Sequence, residues 1–186
     1  ATAITGPSHS RFRKDFGAGH FANFSHDFDF KCTVAGSLSW AAPWYMGAGT
    51  PSWDLIGASD LSVGMLGDGA SPTDIYIDYG NRTTEDVYAS FEIGTQYYLT
   101  IARVGTTLTC TIYSDAARTS VVDTLSLAAD ATYHRYLGVA FSDYSAATGG
   151  TASYTVVNLN LREAPSGYSE MGYGHLVFPS HGAQRA

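Results

Sequence analysis

The sequence predicts an all-β protein, an antiparallel two-sheet β-sandwich with extended N- and C-terminal tails. Three observations carry that prediction. Apolar and polar residues alternate with a period of two, as in Leu99 and Ile101 or Leu108, Cys110 and Ile112; this puts aliphatics on one face of a sheet and hydroxyls on the other. The chain is rich in strand and turn formers, with 20 Gly, 13 Tyr and 9 Phe among 186 residues, and no stretch has helical periodicity. Roughly ten alternating segments, each bounded by turn residues, require two packed sheets. A chain of this length suits one domain able to bury roughly 70% of its unfolded surface.

Taken in order, residues 1–14 carry no core pattern, and Arg11, Arg13 and Lys14 form a small basic cluster. They are expected to be an arm, either solvated or docked on an acidic neighbour. The sandwich is expected over residues 15–162. His26 to Val34 is the first clear strand, with Phe28, Phe30, Cys32 and Val34 on one face. From Ser37 to Leu55, three tryptophans and Tyr45 are interleaved with Pro43, Gly47, Gly49 and Pro51, which reads as a short strand and a long aromatic loop. Leu61, Val63 and Met65 mark another strand. Ile75, Ile77 and Tyr79 face inward on the next, leaving Asp74, Tyr76 and Asp78 outward. Val87, Ala89 and Phe91 repeat that phase, with Asp86, Tyr88 and Ser90 outward.

The clearest stretch is Thr95 to Leu127, read as three consecutive strands. The first turn is centred on Val104-Gly105 and expected to be type II, or type I closed by a glycine bulge. Asp115 and Arg118 are expected to cap the next loop and pair with each other. Leu137, Val139 and Phe141 face in on a later strand, with Gly138 and Ala140 outward. A final strand places Val157, Leu159 and Leu161 inside. Residues 163–186 lose the alternation and read as a tail too apolar for a free linker, with Leu176, Val177 and Phe178 as its anchor.

The run YYLTIARVGTTLTCTIYSDAARTSVVDTLSL, together with Asp15-Phe16-Gly17-Ala18-Gly19-His20-Phe21, resembles concanavalin A-like (laminin G-like) jelly-roll modules of phage and bacterial surface proteins. The resemblance covers roughly Asp15 to Leu161. It implies a fold that hosts lectins, glycosidases and inert structural modules alike.

The net charge of −7 disfavours a nucleic-acid partner. No apolar run reaches the ~20 residues that a membrane helix needs. Cys32 and Cys110 both fall on inward positions and read as buried free thiols rather than a disulfide. No Glu-x-Asp-x-x-Glu run of jelly-roll glucanases is present, and Asp74 and Asp78 flanking Tyr76 have no Glu beside them for an acid role. No catalytic residue is therefore assigned, and the chain is expected not to be an enzyme. No cofactor or metal is expected either. Calcium is the one ion that the acid-rich stretch from Asp54 to Asp86 would suit, against the plainer reading of a solvated acidic face.

A glycan site needs an aromatic platform and carboxylates, and Asp74, Tyr76, Asp78, Asp86 and Tyr88 supply both types. The leading expectation is a structural component of a virion or other extracellular surface, a capsid decoration or tail protein. Arg11, Arg13, Lys14, Leu176, Val177 and Phe178 would join it to copies of itself or to a major capsid or tail protein. A carbohydrate-binding module is the second expectation and a glycoside hydrolase the third.

Overall fold

The structure, a computed structural model, describes residues 10–35, 39–48, 59–67, 72–80, 84–143 and 152–163. These form eleven strands: β1 (Ser10–Asp15), β2 (Phe24–Ala35), β3 (Ser39–Gly47), β4 (Leu61–Gly67), β5 (Pro72–Tyr79), β6 (Thr84–Tyr88), β7 (Gln96–Val104), β8 (Thr107–Tyr113), β9 (Val121–Ala128), β10 (Tyr136–Asp143) and β11 (Ala152–Glu163). Among the described residues there is no helix. Two antiparallel sheets face each other, one in the order β1-β10-β3-β4-β5-β6 and one in the order β11-β2-β7-β8-β9. The core between them is aliphatic and aromatic: Phe28, Phe30, Leu99, Ile101, Cys110 and Ile112 from the five-stranded sheet meet Trp44, Met46, Val63, Met65, Ile75 and Ile77 from the other.

The alternation in Thr95 to Leu127 predicts its register well. Leu99, Ile101, Leu108, Cys110, Ile112 and Leu125 are all buried, as is Leu137 on β10, while Val139 is half-buried. The side chain of Phe141 lies outside the described residues. The β7–β8 turn is shifted by one residue from expectation. Val104 pairs with Thr107, so Gly105 and Thr106 are the two central residues. Gly105 has φ +61° while Thr106 stays at negative φ. A positive φ at the first central position alone is the type II′ pattern, whose twist matches that of the flanking strands.

Other expectations need correction. Ser10 to Lys14 is not a separate arm: it is edge strand β1, in register with β10 from Ser10↔Phe141 to Lys14↔Leu137. Residues 1–9 and 164–186, including Leu176, Val177 and Phe178, lie outside the described residues. The aromatic loop after Ser37 is in part a full strand, β3, at the centre of its sheet. Pro43 is tolerated there because the ladder shifts between Ala41 and Trp44, so the missing N–H falls at a bulge.

On β6 the phase is reversed. Ile75 pairs with Tyr88 and Ile77 with Asp86, so those two residues lie on the core side and Val87 turns out. Asp86 is tolerated because β6 and β9 close the sandwich along one edge, where its Oδ2 accepts the Ser126 N–H at 2.7 Å. On β11 the ladder shifts between Val157 and Asn160, with Asn158 at φ +57°. Tyr154, Val156 and Leu161 therefore pack on the core, whereas Val157 and Leu159 are 46% and 47% exposed.

Cys32 and Cys110 are free and buried. They lie on β2 and β8 with β7 between them, and Cys32 is six residues along β2 from His26, which is level with Cys110, a separation of about 20 Å that no disulfide bridges. Burial pushes the Cys32 thiol up to about 11 and raises that of Cys110 as well. Asp115 caps its loop, accepting the N–H groups of Thr119 and Ser120. Arg118, at φ +56°, does not pair with it but reaches across to Asp29 at 3.1 Å.

Candidate functional site

The two sheets bury their residues differently. On β7 and β8 buried and half-exposed positions alternate strictly, so that sheet has one core face and one wet face. On β4 and β5 every residue from Leu61 to Met65 and from Ile75 to Asp78 is buried. Both faces of the six-stranded sheet are covered at its centre.

The face turned away from the core is polar. Cross-strand partners share a face, and one row runs Arg13, Gly138, Tyr45, Ser62, Asp78, Glu85 across all six strands. The next row pairs Gly64 with Tyr76 and Tyr76 with Val87. Two glycines shape this surface by what they lack. A Cβ on Gly64 would lie 2.4 Å from Tyr76 Cζ, and one on Gly47 would lie 2.6 Å from the Tyr45 hydroxyl oxygen. The hydroxyl end of each ring therefore fills the space over bare backbone, the arrangement by which an aromatic ring covers a strand glycine.

Beside them the Tyr45 hydroxyl donates to Asp60 Oδ2 at 2.8 Å, and the Ala48 N–H donates to Oδ1 at 3.1 Å. A tyrosine hydroxyl on a carboxylate both fixes the ring and provides a short path for a proton. The Ser62 hydroxyl is wholly buried and has no hydrogen-bond partner. An unsatisfied buried hydroxyl costs about 1–3 kcal/mol, so its place on this face calls for a reason beyond packing.

Of the five residues picked from the sequence, the structure brings together two. Tyr76 and Asp78 lie on this outer face, at 1% and 0% exposure rather than open to water. Asp74 stands on β5 beyond Tyr76 and is half-buried. Asp86 and Tyr88 belong to the opposite side of the sheet; Tyr88 packs on the core, edge-on to Tyr97, and burial raises its phenol pKa. Tyr45, Asp60 and Ser62 were missed. Their signal was present in β3 and β4, where Gly47 and Gly64 interrupt otherwise bulky strands and so mark a close approach.

A second polar cluster sits where the β7–β8 hairpin meets the loop before β10. The buried Arg103 guanidinium donates to the carbonyls of Gly105, Thr132 and Asp130. It also donates to His134 Nδ1 at 3.1 Å, while His134 Nε2–H donates to the Ser59 carbonyl at 2.7 Å. Burial lowers the His134 pKa and keeps the ring neutral, consistent with that tautomer. Asp130 is held down to about 2: burial opposes this, but bonds from Thr132, Tyr79 and Ser59 outweigh it. With so many donors committed to backbone, this cluster is a clamp on the loop. Among the described residues no group of three acids, histidines or cysteines is arranged to hold a metal ion.

No family model matches the sequence, and no curated protein matches it. Solved structures do share the fold. An alginate lyase of family 7, A1-II′, in complex with product is similar at TM-score 0.56 and 13% identity, over 88% of this chain and 74% of that one. The enzymatically active domain of bacteriophage CBA120 tailspike protein 2 is similar at TM-score 0.55 and 14% identity, over 89% of this chain but 28% of that one. A functionally unknown protein from Saccharomyces cerevisiae matches at TM-score 0.54 and 11% identity, over 89% and 93% of the two chains. At such identities the likeness is one of fold.

It nevertheless overturns the expectation that the chain is not an enzyme. That expectation rested on a missing hydrolase carboxylate set, and a lyase cleaves by elimination, without the water such a set activates. Proteins that act on polysaccharide share this sandwich, so the missing set does not separate the chain from them. In its fold the chain is a concanavalin A-like jelly-roll module.

Proposed function

We propose that the chain is a carbohydrate-recognising surface module, and that it meets glycan on the outer face of β3, β4 and β5. The observation that carries this reading is the pair of tyrosine side chains whose hydroxyl ends fill the space over Gly47 and Gly64, next to a serine hydroxyl and two carboxylates. Flat aromatics receive the C–H face of a sugar, while carboxylates and hydroxyls receive its hydroxyl groups. A face meant only for packing would be served better by aliphatics, as on the other side of the same strands. The fold neighbours that act on alginate support the reading by analogy. Because the face is buried here, binding is coupled to its opening, and the apparent affinity is the intrinsic one scaled by the open fraction.

The test is an immobilised-glycan screen with the wild type, Asp78→Asn, Ser62→Ala and, on the other sheet, Tyr98→Ala. Circular dichroism serves as the fold control. The reading expects Asp78→Asn to weaken retention by about tenfold or more, roughly one charge-assisted hydrogen bond, and Tyr98→Ala to leave it unchanged. A wild type that retains no glycan, or one whose binding follows Tyr98 instead, overturns it.

A virion location is a second proposal, supported by the tailspike likeness and by an exposed basic edge strand, with Arg13 and Lys14 on a chain of net charge −7. Arg13 stacks on Tyr136 at 4.6 Å and Lys14 lies over Phe16 at 5.0 Å, so both present charge from fixed positions. Such charges steer and orient an acidic partner. Deleting Gly174 to Ala186, which removes Leu176, Val177 and Phe178, should leave a folded protein that no longer joins its assembly. Unchanged assembly of the truncated protein in sedimentation would count against this location.

A further inference from the structure

We propose that the connection between β1 and β2 is an acid-operated latch: protonation of two buried imidazoles, His134 and His26, releases it while the rest of the sandwich stays folded. The first ground is how the connection is held. The Phe16 N–H donates to the Arg135 carbonyl at 3.0 Å, and Phe21 and His134 exchange main-chain bonds at 2.9 and 3.0 Å. Between these anchors Ala18 and Gly19 are exposed, and Gly17 and Gly19 take φ +100° and +72° with open space where a side chain would be. The hold on the sandwich thus rests on Phe16, on the wholly buried Phe21 and on the loop that carries His134.

The second ground is that two wholly buried imidazoles flank Phe21, and both are built to be neutral. The Phe21 main chain bridges to His134, and the Phe21 ring meets His26 edge-on at 5.5 Å. His134 Nδ1 accepts from the buried Arg103 guanidinium; a proton there would set two buried cations 3.1 Å apart and deprive an Arg103 N–H of its acceptor. Burial and Arg103 outweigh the Ser59 carbonyl, Asp60 on the segment entering β4 and Asp130 on the same loop, all of which favour the charged ring. His26 Nδ1 accepts from Trp44, while Nε2 is buried without a hydrogen-bond partner. Asp27 on its own strand attracts a proton and Arg162 of β11 repels one, but burial dominates. Its other neighbours are apolar or aromatic: Phe21, Phe24 and Trp44 around the ring, and Ile101 and Leu161 opposite in the ladders. His20, edge-on to Phe21, is the other titratable ring of the connection.

The third ground is that opening satisfies what the closed form leaves unmet, and does so at one end only. Lifting Phe21 admits water to His26 Nε2 and to the His134 ring, so both then bind protons with ordinary affinity, near pH 6.5. Closed, His26 titrates at about 3. The closed form is therefore fully favoured above pH 6.5 and loses about tenfold per pH unit below it for each imidazole released. Strands β7, β8 and β9 contain no histidine, so the far end of the five-stranded sheet has no such group to titrate. The Asp15–Arg135 pair at the same junction keeps its charges down to about pH 2 and takes no part in the switch.

The experiment is backbone amide exchange of the full chain, followed by NMR between pH 7 and pH 4.5 and divided by the intrinsic rate at each pH. The amides of Phe16, Phe21 and His134 should open about 100-fold more at pH 4.5 than at pH 7 through His26 alone, and further through His134. The amides of Leu99 and Ile101, in β7 between β2 and β8, should change far less. His134→Gln and His26→Phe should each remove one proton from the pH dependence, with circular dichroism as the fold control; if a variant does not fold, the contrast within the wild type remains the test. Equal loss of protection at both sets of amides would make the acid effect global and overturn the latch. Protection of Phe16, Phe21 and His134 that holds down to pH 4.5 would overturn it too, as would a pH dependence that both folded variants keep in full.

Discussion

The two sheets share a core but use their second faces in opposite ways. On the five-stranded sheet the far face is wet and carries Thr100, Thr111 and Tyr98, together with Asp27 and Asp29 tied to Arg118. At the centre of the six-stranded sheet the far face is as deeply buried as the core, yet it is built from tyrosine, serine, glycine and aspartate. Period-two alternation is equally clean in β8 and in β4, with Leu108, Cys110 and Ile112 against Leu61, Val63 and Met65. The alternation thus reports which side of a strand meets the core. It does not report whether the other side meets water.

The comparison can be broken at its strongest point first. Ile112→Ala and Ile77→Ala remove wholly buried side chains from the two sheets, and each should lower unfolding free energy by about 2–5 kcal/mol. A denaturant midpoint that stays put for either variant would show that its sheet does not share the common core.

The joint between the sheets is expected to weaken in acid. His26 on β2 accepts the Trp44 Nε1–H of β3 at 3.1 Å, and burial lowers its pKa to about 3. In the unfolded chain the ring titrates near its ordinary value of about 6.5. This contribution to stability is therefore complete above 6.5 and declines as the pH falls toward 3, by at most about 1.4 kcal/mol per pH unit. His134 moves in the same direction. Urea midpoints measured between pH 7 and pH 4.5 should fall, and His26→Phe should flatten part of the slope. A flat profile in the wild type would mean that neither imidazole is buried neutral.

Gly64→Ala sharpens the contrast between far faces. The new methyl would drive into the Tyr76 ring and should cost about 1–3 kcal/mol. Thr111→Ala on the wet face should stay within about 0.5 kcal/mol. Equal melting shifts for the two variants would erase the distinction between the faces. The smallest effect is expected at the exposed Asp15–Arg135 pair beside β1. The Arg135 guanidinium, helped by the Gly17 N–H, holds the Asp15 carboxyl at about 2. Whatever it adds is present above the ordinary carboxylate range and is lost as pH falls through about 2. Following the Asp15 carboxyl by NMR should show this low titration and its return toward normal in Arg135→Gln; a normal value in the wild type would remove the pair.

The corrected elements show where sequence reading stops. β6 and β11 were assigned to the wrong face or lost their phase because both are edge strands. β6 could place Asp86 inward since a main-chain N–H of the other sheet was there to meet it. β11 could turn Leu159 out because a bulge at Asn158 resets the alternation without any glycine or proline to announce it. β3 was hidden by Pro43, which reads as a break until its bulge is seen. Arg118 was paired with Asp115, its near neighbour in sequence, whereas the loop carries it over Tyr98 to Asp29.

By itself, then, the sequence determined the all-β class, the inward register of β7, β8 and much of β9, and the burial of both cysteines. Those depend on a side-chain period of two and on turn chemistry, which are local. Only the tertiary structure decided that Tyr45, Ser62, Tyr76 and Asp78 come to one face, and that this face is buried. The pairing of strands distant in the chain sets which side chains share a row, and no local pattern encodes what lies over a sheet.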